Sequence, residues 1–166
     1  MKILRILLVI VLLVLAGRTF NAAAQTETNL HSFSGPTDGQ SPLAGLVQGS
    51  DGNFYGTTYG GGTNYDGTVF RISPGGSYTN LYSLGNSPTD GTSPSAGLVQ
   101  GSDGNFYGTT SFGGTSSNCF NCGTVFWISP SGSYTNLYSF GNSPNDGMTP
   151  YAGLVQGSDG NFYGTT

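Results

Sequence analysis

The chain has 166 residues, of which 7% are charged and 13% aromatic, with 29 Gly and 8 Pro. An ordinary soluble domain carries about 25% charged residues, and a disordered tail has few aromatics and a high net charge, so this composition argues against both helix and disorder. Abundant Gly, Thr, Ser, Asn and Tyr predict short strands joined by tight turns, an all-β chain.

At the N-terminus, Lys2 and Arg5 precede an unbroken apolar run from Ile6 to Ala16, and Ala22, Ala23 and Ala24 precede Gln25. An apolar run of about 7–15 residues behind a basic start, closed by an A-x-A site, is the pattern of a secretory signal; a membrane span needs about 20. The expectation is a signal-peptide helix over residues 1–24, cleavage after Ala24, and export to the cell surface or medium, or to the periplasm. No membrane span would remain after cleavage. The competing reading is an uncleaved anchor, and no Cys follows the run to support a lipid anchor.

Past residue 24 the sole Lys or Arg is Arg71, while all eight acids remain: Glu27, Asp38, Asp51, Asp66, Asp90, Asp103, Asp146 and Asp159. Nucleic-acid binding needs cations to neutralise phosphates, and an anionic membrane surface repels such a chain. Both partners are excluded.

A repeat dominates residues 25–166. AGLVQGSDGNFYGTT stands identically at 44–58, 96–110 and 152–166, at offsets of 52 and 56 residues. The units are therefore about 44–95, 96–151 and a partial 152–166, about 2.7 repeats when the preceding residues are included. The four extra residues of the second unit fall in one stretch, where SFGGTSSNCFNC (111–122) replaces YGGGTNYD (59–66). Length variation confined to a Gly-rich stretch marks a loop.

Each unit reads as four strands. The first is Ala44–Gln48, followed by an Asp-Gly hairpin turn. The second is Phe54–Thr58, the third Thr68–Ser73 before Pro74-Gly75-Gly76, and the fourth Tyr78–Leu84 before a Pro/Asp/Gly turn at 86–91. Four antiparallel strands per roughly 50 residues is the signature of a β-propeller blade. Apolar residues alternate onto both faces of the third and fourth strands, as a sheet sandwiched between neighbours requires. A three-repeat β-trefoil is the alternative. Asn29–Phe33 reads as a further fourth strand, making about eleven strands, an incomplete array expected to be a fragment of a longer one.

The stretch LVQGSDGNFYGTTYGGGTNYDGTVFRISPGG (46–76), with its YGTT…GG…GTVF pattern, resembles the bacterial GloVer tandem repeat. GNFYGTT is also similar, more loosely, to the turn of two-component-regulator propeller repeats. The GloVer resemblance implies a secreted or surface repeat protein, often tethered by a C-terminal sorting signal, and brings no catalytic residues with it. No such anchor is read here, consistent with the expected truncation.

The candidate chemistry is sparse. Cys119 and Cys122 form the only CxxC. In an exported chain this pair reads as a local disulfide, with free thiols or a redox or metal site as alternatives. Asp51, Asp103 and Asp159 recur in SDGN, where turn formation competes with Ca²⁺ binding; one carboxylate per turn is far short of six to eight oxygens. With one His, one Glu and no Lys past residue 24, general acid–base options reduce to scattered Asp. No G-x-S-x-G elbow or P-loop is present. The recurrent tyrosines read as packing in preference to a sugar platform. No catalytic residue, cofactor or metal is expected. Arg71 in one unit is replaced by Trp127 in the next, which suggests a variable surface position. Together with loops 59–66 and 111–122 these two residues are the expected functional surface, for a glycan or protein partner. The sequence thus predicts a non-enzymatic structural or interaction module. The alternative is an exported carbohydrate-binding or carbohydrate-active propeller.

Overall fold

A computed structural model describes residues 27–116, 118–119 and 121–166. The expected signal peptide and its helix lie outside them. The described residues are all-β, in antiparallel sheets of two to four strands that remain open. In the first unit β1 (Val47–Gln48), β2 (Phe54–Thr58), β3 (Thr68–Ile72) and β4 (Tyr78–Ser83) form a meander in sequence order. A short strand follows, β5 (Gly91–Thr92). The second unit repeats the meander with β6 (Val99–Gln100), β7 (Phe106–Thr110), β9 (Thr124–Ile128) and β10 (Tyr134–Ser139), and inserts β8 (Phe112–Gly113) after β7. The third unit contributes the hairpin β11 (Val155–Gln156) and β12 (Phe162–Tyr163).

Each SDGN segment makes the first turn from its own side chains. Gly52 takes φ 82°, and Asp51 accepts the Asn53 backbone N–H at 3.1 Å. The turn fixes the register, so Val47 opposes Tyr55 as Val99 opposes Tyr107. Since the side-chain period of a strand is two, this register settles which rings point to which neighbour.

Three details depart from the sequence reading. The first strand starts at Val47, not Ala44; in the later units the Ala96 and Ala152 carbonyls accept the hydroxyls of Thr57 and Thr109 of the preceding unit, both at 3.0 Å. Asn29–Phe33 is not a strand, because among the described residues no third strand of its own unit lies beside it. Its rings still pack as expected of that position, His31 stacking on Tyr78 with centroids 4.1 Å apart and Phe33 meeting Phe70 edge-on at 5.1 Å. The fourth strands carry a bulge at Leu81 and at Leu137, where the pairing skips one residue.

The core lies between units. Tyr55 and Val69 of the first unit cluster with Leu98, Phe106, Phe126 and Ile128 of the second. Tyr55 stacks on Phe106 with centroids 3.9 Å apart, and Tyr107 stacks on Phe162 at 4.0 Å. Tyr82 lies flat on Tyr134 at 4.2 Å. Main-chain bonds cross the boundary between the first two units: the Gly114 N–H donates to Asp90 O at 2.8 Å and the Ser111 N–H to Ser93 O at 3.2 Å. Gly91–Thr92 pairs across to Phe112–Gly113, a two-residue ladder that turn-like composition concealed.

Candidate functional site

Residues of the two variable loops meet in a cleft of about 510 Å³ at the boundary of units one and two. Asp66, the last residue of the first variable loop, faces Gly113, Thr115, Cys119 and Asn121 of the second, with Asp90 completing the wall. A larger cleft of about 660 Å³ adjoins it, built mainly from positions with counterparts in the first unit, such as Tyr134 and Asn136.

The longer loop is held by covalent and polar ties. Cys119 and Cys122 are joined by a disulfide with their Cα atoms 6.0 Å apart. The Ser116 hydroxyl donates to Gly141 O at 2.7 Å, and the Gly113 N–H donates to Asn121 Oδ1 at 2.5 Å. Cys122 stands where the first unit has Asp66, and both lie against an equivalent glycine, Gly141 and Gly85. The shorter loop is tied more lightly, by Asn64 Nδ2 donating to Leu84 O at 3.3 Å.

The carboxylates divide into two kinds. Asp51 accepts from the Asn53 amide at 2.8 Å and the Tyr55 hydroxyl at 2.8 Å, and these bonds hold its carboxyl below the usual range. Asp103 and Asp159 repeat the arrangement. In the second recurrent series, Asp90 accepts the Tyr82 hydroxyl at 2.7 Å and Asp146 the Tyr138 hydroxyl at 2.6 Å, while Asp38 meets His31 at 3.2 Å. Burial and the bond to Asp90 push the Tyr82 hydroxyl up to about 12. Asp66 belongs to neither series. It is partly buried, its carboxyl accepts no hydrogen bond among the described residues, and burial pushes it above the usual carboxylate range. The sequence reading placed Asp66 within the variable loop 59–66 without singling it out. The signal was the acid-to-cysteine exchange at fixed distance before GTVF.

Arg71 and Trp127 do not join this cleft. They sit mid-strand on β3 and β9, each partly buried, opposite Tyr55 and Tyr107 respectively. Arg71 Nη2 reaches Thr79 Oγ1 at 3.5 Å. The SDGN carboxylates are occupied inside their own turns, and among the described residues no group of three or more His, Cys, Asp or Glu side chains could hold a metal ion.

No curated protein matches the chain. The family model described as the Gloeobacter/Verrucomicrobia repeat matches residues 16–166, nearly the whole sequence, in agreement with the YGTT…GG…GTVF resemblance. The chain belongs to the Gloeobacter/Verrucomicrobia repeat family.

Proposed function

We propose that the chain is an exported, non-enzymatic repeat module whose units stack as blades of a β-propeller-type array and present their variable loops to a glycan or protein at the cell surface. One observation carries the reading: recurrent side chains are spent on packing one unit against the next, whereas Asp66 and the 111–122 loop, which do not recur, meet in one cleft. Insertions in repeat proteins gather on one face, often the binding face. The signal-like N-terminus supports export, and acids engaged within their own turns support a non-catalytic role.

The test exchanges residues 111–122 for residues 59–66 and screens both proteins on glycan and protein arrays. Altered binding at unchanged melting temperature supports the module. A loop needed for folding, or binding indifferent to the exchange, overturns it. Fractionation of a secreting host checks export, with the product expected to begin at Gln25.

One feature favours the carbohydrate-active alternative: Asp66 and Asp90 share a cleft in unlike environments, and glycoside hydrolysis uses two carboxyl groups set apart in this way. Loss of polysaccharide hydrolysis in Asp66→Asn would establish it.

A further inference from the structure

Six of the seven aspartates accept hydrogen bonds from backbone N–H groups of their own turns, as Asp51 does from Asn53 and Asp90 from Ser87. Asp66 alone accepts none among the described residues, and burial is the one influence on its carboxyl. The fold nevertheless keeps a place for that group. A Cβ at Gly85 would collide with Asp66 Oδ2, so the glycine makes the hollow in which the carboxylate lies. In unit two the corresponding hollow at Gly141 is filled by the Cys119–Cys122 disulfide. Of the two units that contain this position, only the first therefore presents an acid there.

Nothing beside Asp66 neutralises it. No Lys, Arg or His lines the cleft, and the second acid on its wall, Asp90, is engaged by the Tyr82 hydroxyl at 2.7 Å and the Ser87 N–H at 3.0 Å. A partly buried carboxylate without a donor is costly, and a cation that also donates a hydrogen bond satisfies it most strongly. Eight acids against one arginine past residue 24 draw cations to the chain as a whole.

The cleft also narrows the kind of cation. Calcium takes six to eight oxygens, and among the described residues no group of three His, Cys, Asp or Glu side chains stands ready to hold a metal. A volume of about 510 Å³ falls instead among small-molecule sites, which span about 300–1,000 Å³. Apart from its two acids the wall is hydroxyl, amide and glycine, with Pro88 and Cys119 as its less polar part. Such a wall suits a polyhydroxylated ring better than the aliphatic stem of a lysine.

We infer that this cleft takes a glycan bearing a free amine, a deacetylated amino-sugar unit whose ammonium donates to the Asp66 carboxylate while its hydroxyls meet Thr92, Thr115 and Asn121. The inference rests on the cleft being the ligand site of the module, and it names the class of that ligand.

The test is calorimetric titration of the intact protein, at fixed ionic strength, with a glucosamine tetrasaccharide and with its fully N-acetylated counterpart. The amine form is expected to bind at one site per chain, about tenfold or more tighter than the neutral form. Asp66→Asn should abolish that difference and leave the weaker binding of the neutral form in place. Glu27→Gln removes the same charge from an exposed position outside the cleft and should preserve the difference. If circular dichroism shows the Asp66→Asn variant unfolded, Asp66→Ala replaces it. Failure of the amine form to bind overturns the inference, as does equal affinity for the two forms. So does a preference that survives loss of Asp66, one lost equally in Glu27→Gln, or a lysine-rich peptide binding as tightly as the tetrasaccharide. Neutral-glycan binding that responds to the loop exchange without any preference for the amine overturns this inference and leaves the module standing.

Discussion

Replacing Phe106 by Ala measures how much the boundary between units contributes. The ring is fully buried, stacked on Tyr55 at 3.9 Å, and clustered with Val69, Leu98, Phe126 and Ile128. Removing a buried phenylalanine costs about 3–5 kcal/mol, and the lost stack, worth about 0.5–1.5 kcal/mol, places this case in the upper half of that range. Against a total of about 5–15 kcal/mol, the change is large. At a slope of about 2 kcal/mol per molar urea, the midpoint falls by roughly 2 M. Trp127, the single tryptophan, lies in the same unit and reports the transition by fluorescence. The chain supplies its own controls, since Phe54 and Phe162 have the same local sequence. Phe162 is partly buried with a stack on Tyr107 at 4.0 Å, while Phe54 is partly buried and stacks on no ring among the described residues. The losses should therefore rank Phe106 first, then Phe162, then Phe54. Equal losses at all three positions would refute the argument, because they would place the stabilisation within the hairpin.

Gly108→Ala drives a Cβ to within 2.7 Å of Phe126 Cζ and 2.8 Å of Leu98 Cδ2, and should cost about 1–3 kcal/mol by chemical denaturation. Gly164→Ala meets only Leu154 at comparable range and should cost less. The lowered carboxyls of Asp51, Asp103 and Asp159 stabilise the fold above their ordinary value of 3.8, and that contribution is lost as pH falls through their folded-state values. Melting temperature should accordingly drop on acidification below about pH 4. Asp66 has the opposite sign: its raised pKa means that ionisation in the folded state is unfavourable. Asp66→Asn should raise the melting temperature at neutral pH, and the gain should vanish below the carboxylate range. Cys119→Ser with Cys122→Ser should cost at most about 2 kcal/mol because the closed loop is short; a larger loss would mean that the loop organises the boundary.

The repeat made the strands legible. An Asp-Gly turn at constant distance from a GTVF segment locates β2, β3 and their hairpin to within a residue or two, since turn chemistry and pleat alternation are both local. Cross-boundary features left little trace. Gly91–Thr92 looks like turn because its partner, Phe112–Gly113, belongs to the next unit. Residues 29–33 carry a strand's alternation without a neighbouring strand among the described residues to complete it. The bulges at Leu81 and Leu137 disappear among alternating residues. At the candidate site, the variable loops stood out by length, yet only the fold brings Asp66 opposite Cys119. Arg71 and Trp127 differ as sharply but lie on strands, away from that cleft.

A core that lies between units has a consequence for how the chain is made. Tyr55 has nothing to stack on until Phe106, fifty-one residues later, has been synthesised. At about 5–20 residues per second this wait lasts roughly 3–10 s, far longer than the microseconds in which a hairpin closes. During that interval each newborn unit exposes its aromatic face, and the partner it awaits has nearly the same sequence as the unit itself. Neighbouring nascent chains can therefore cross-pair in the correct register, so the yield of correctly joined molecules should depend on how far apart ribosomes travel on one message.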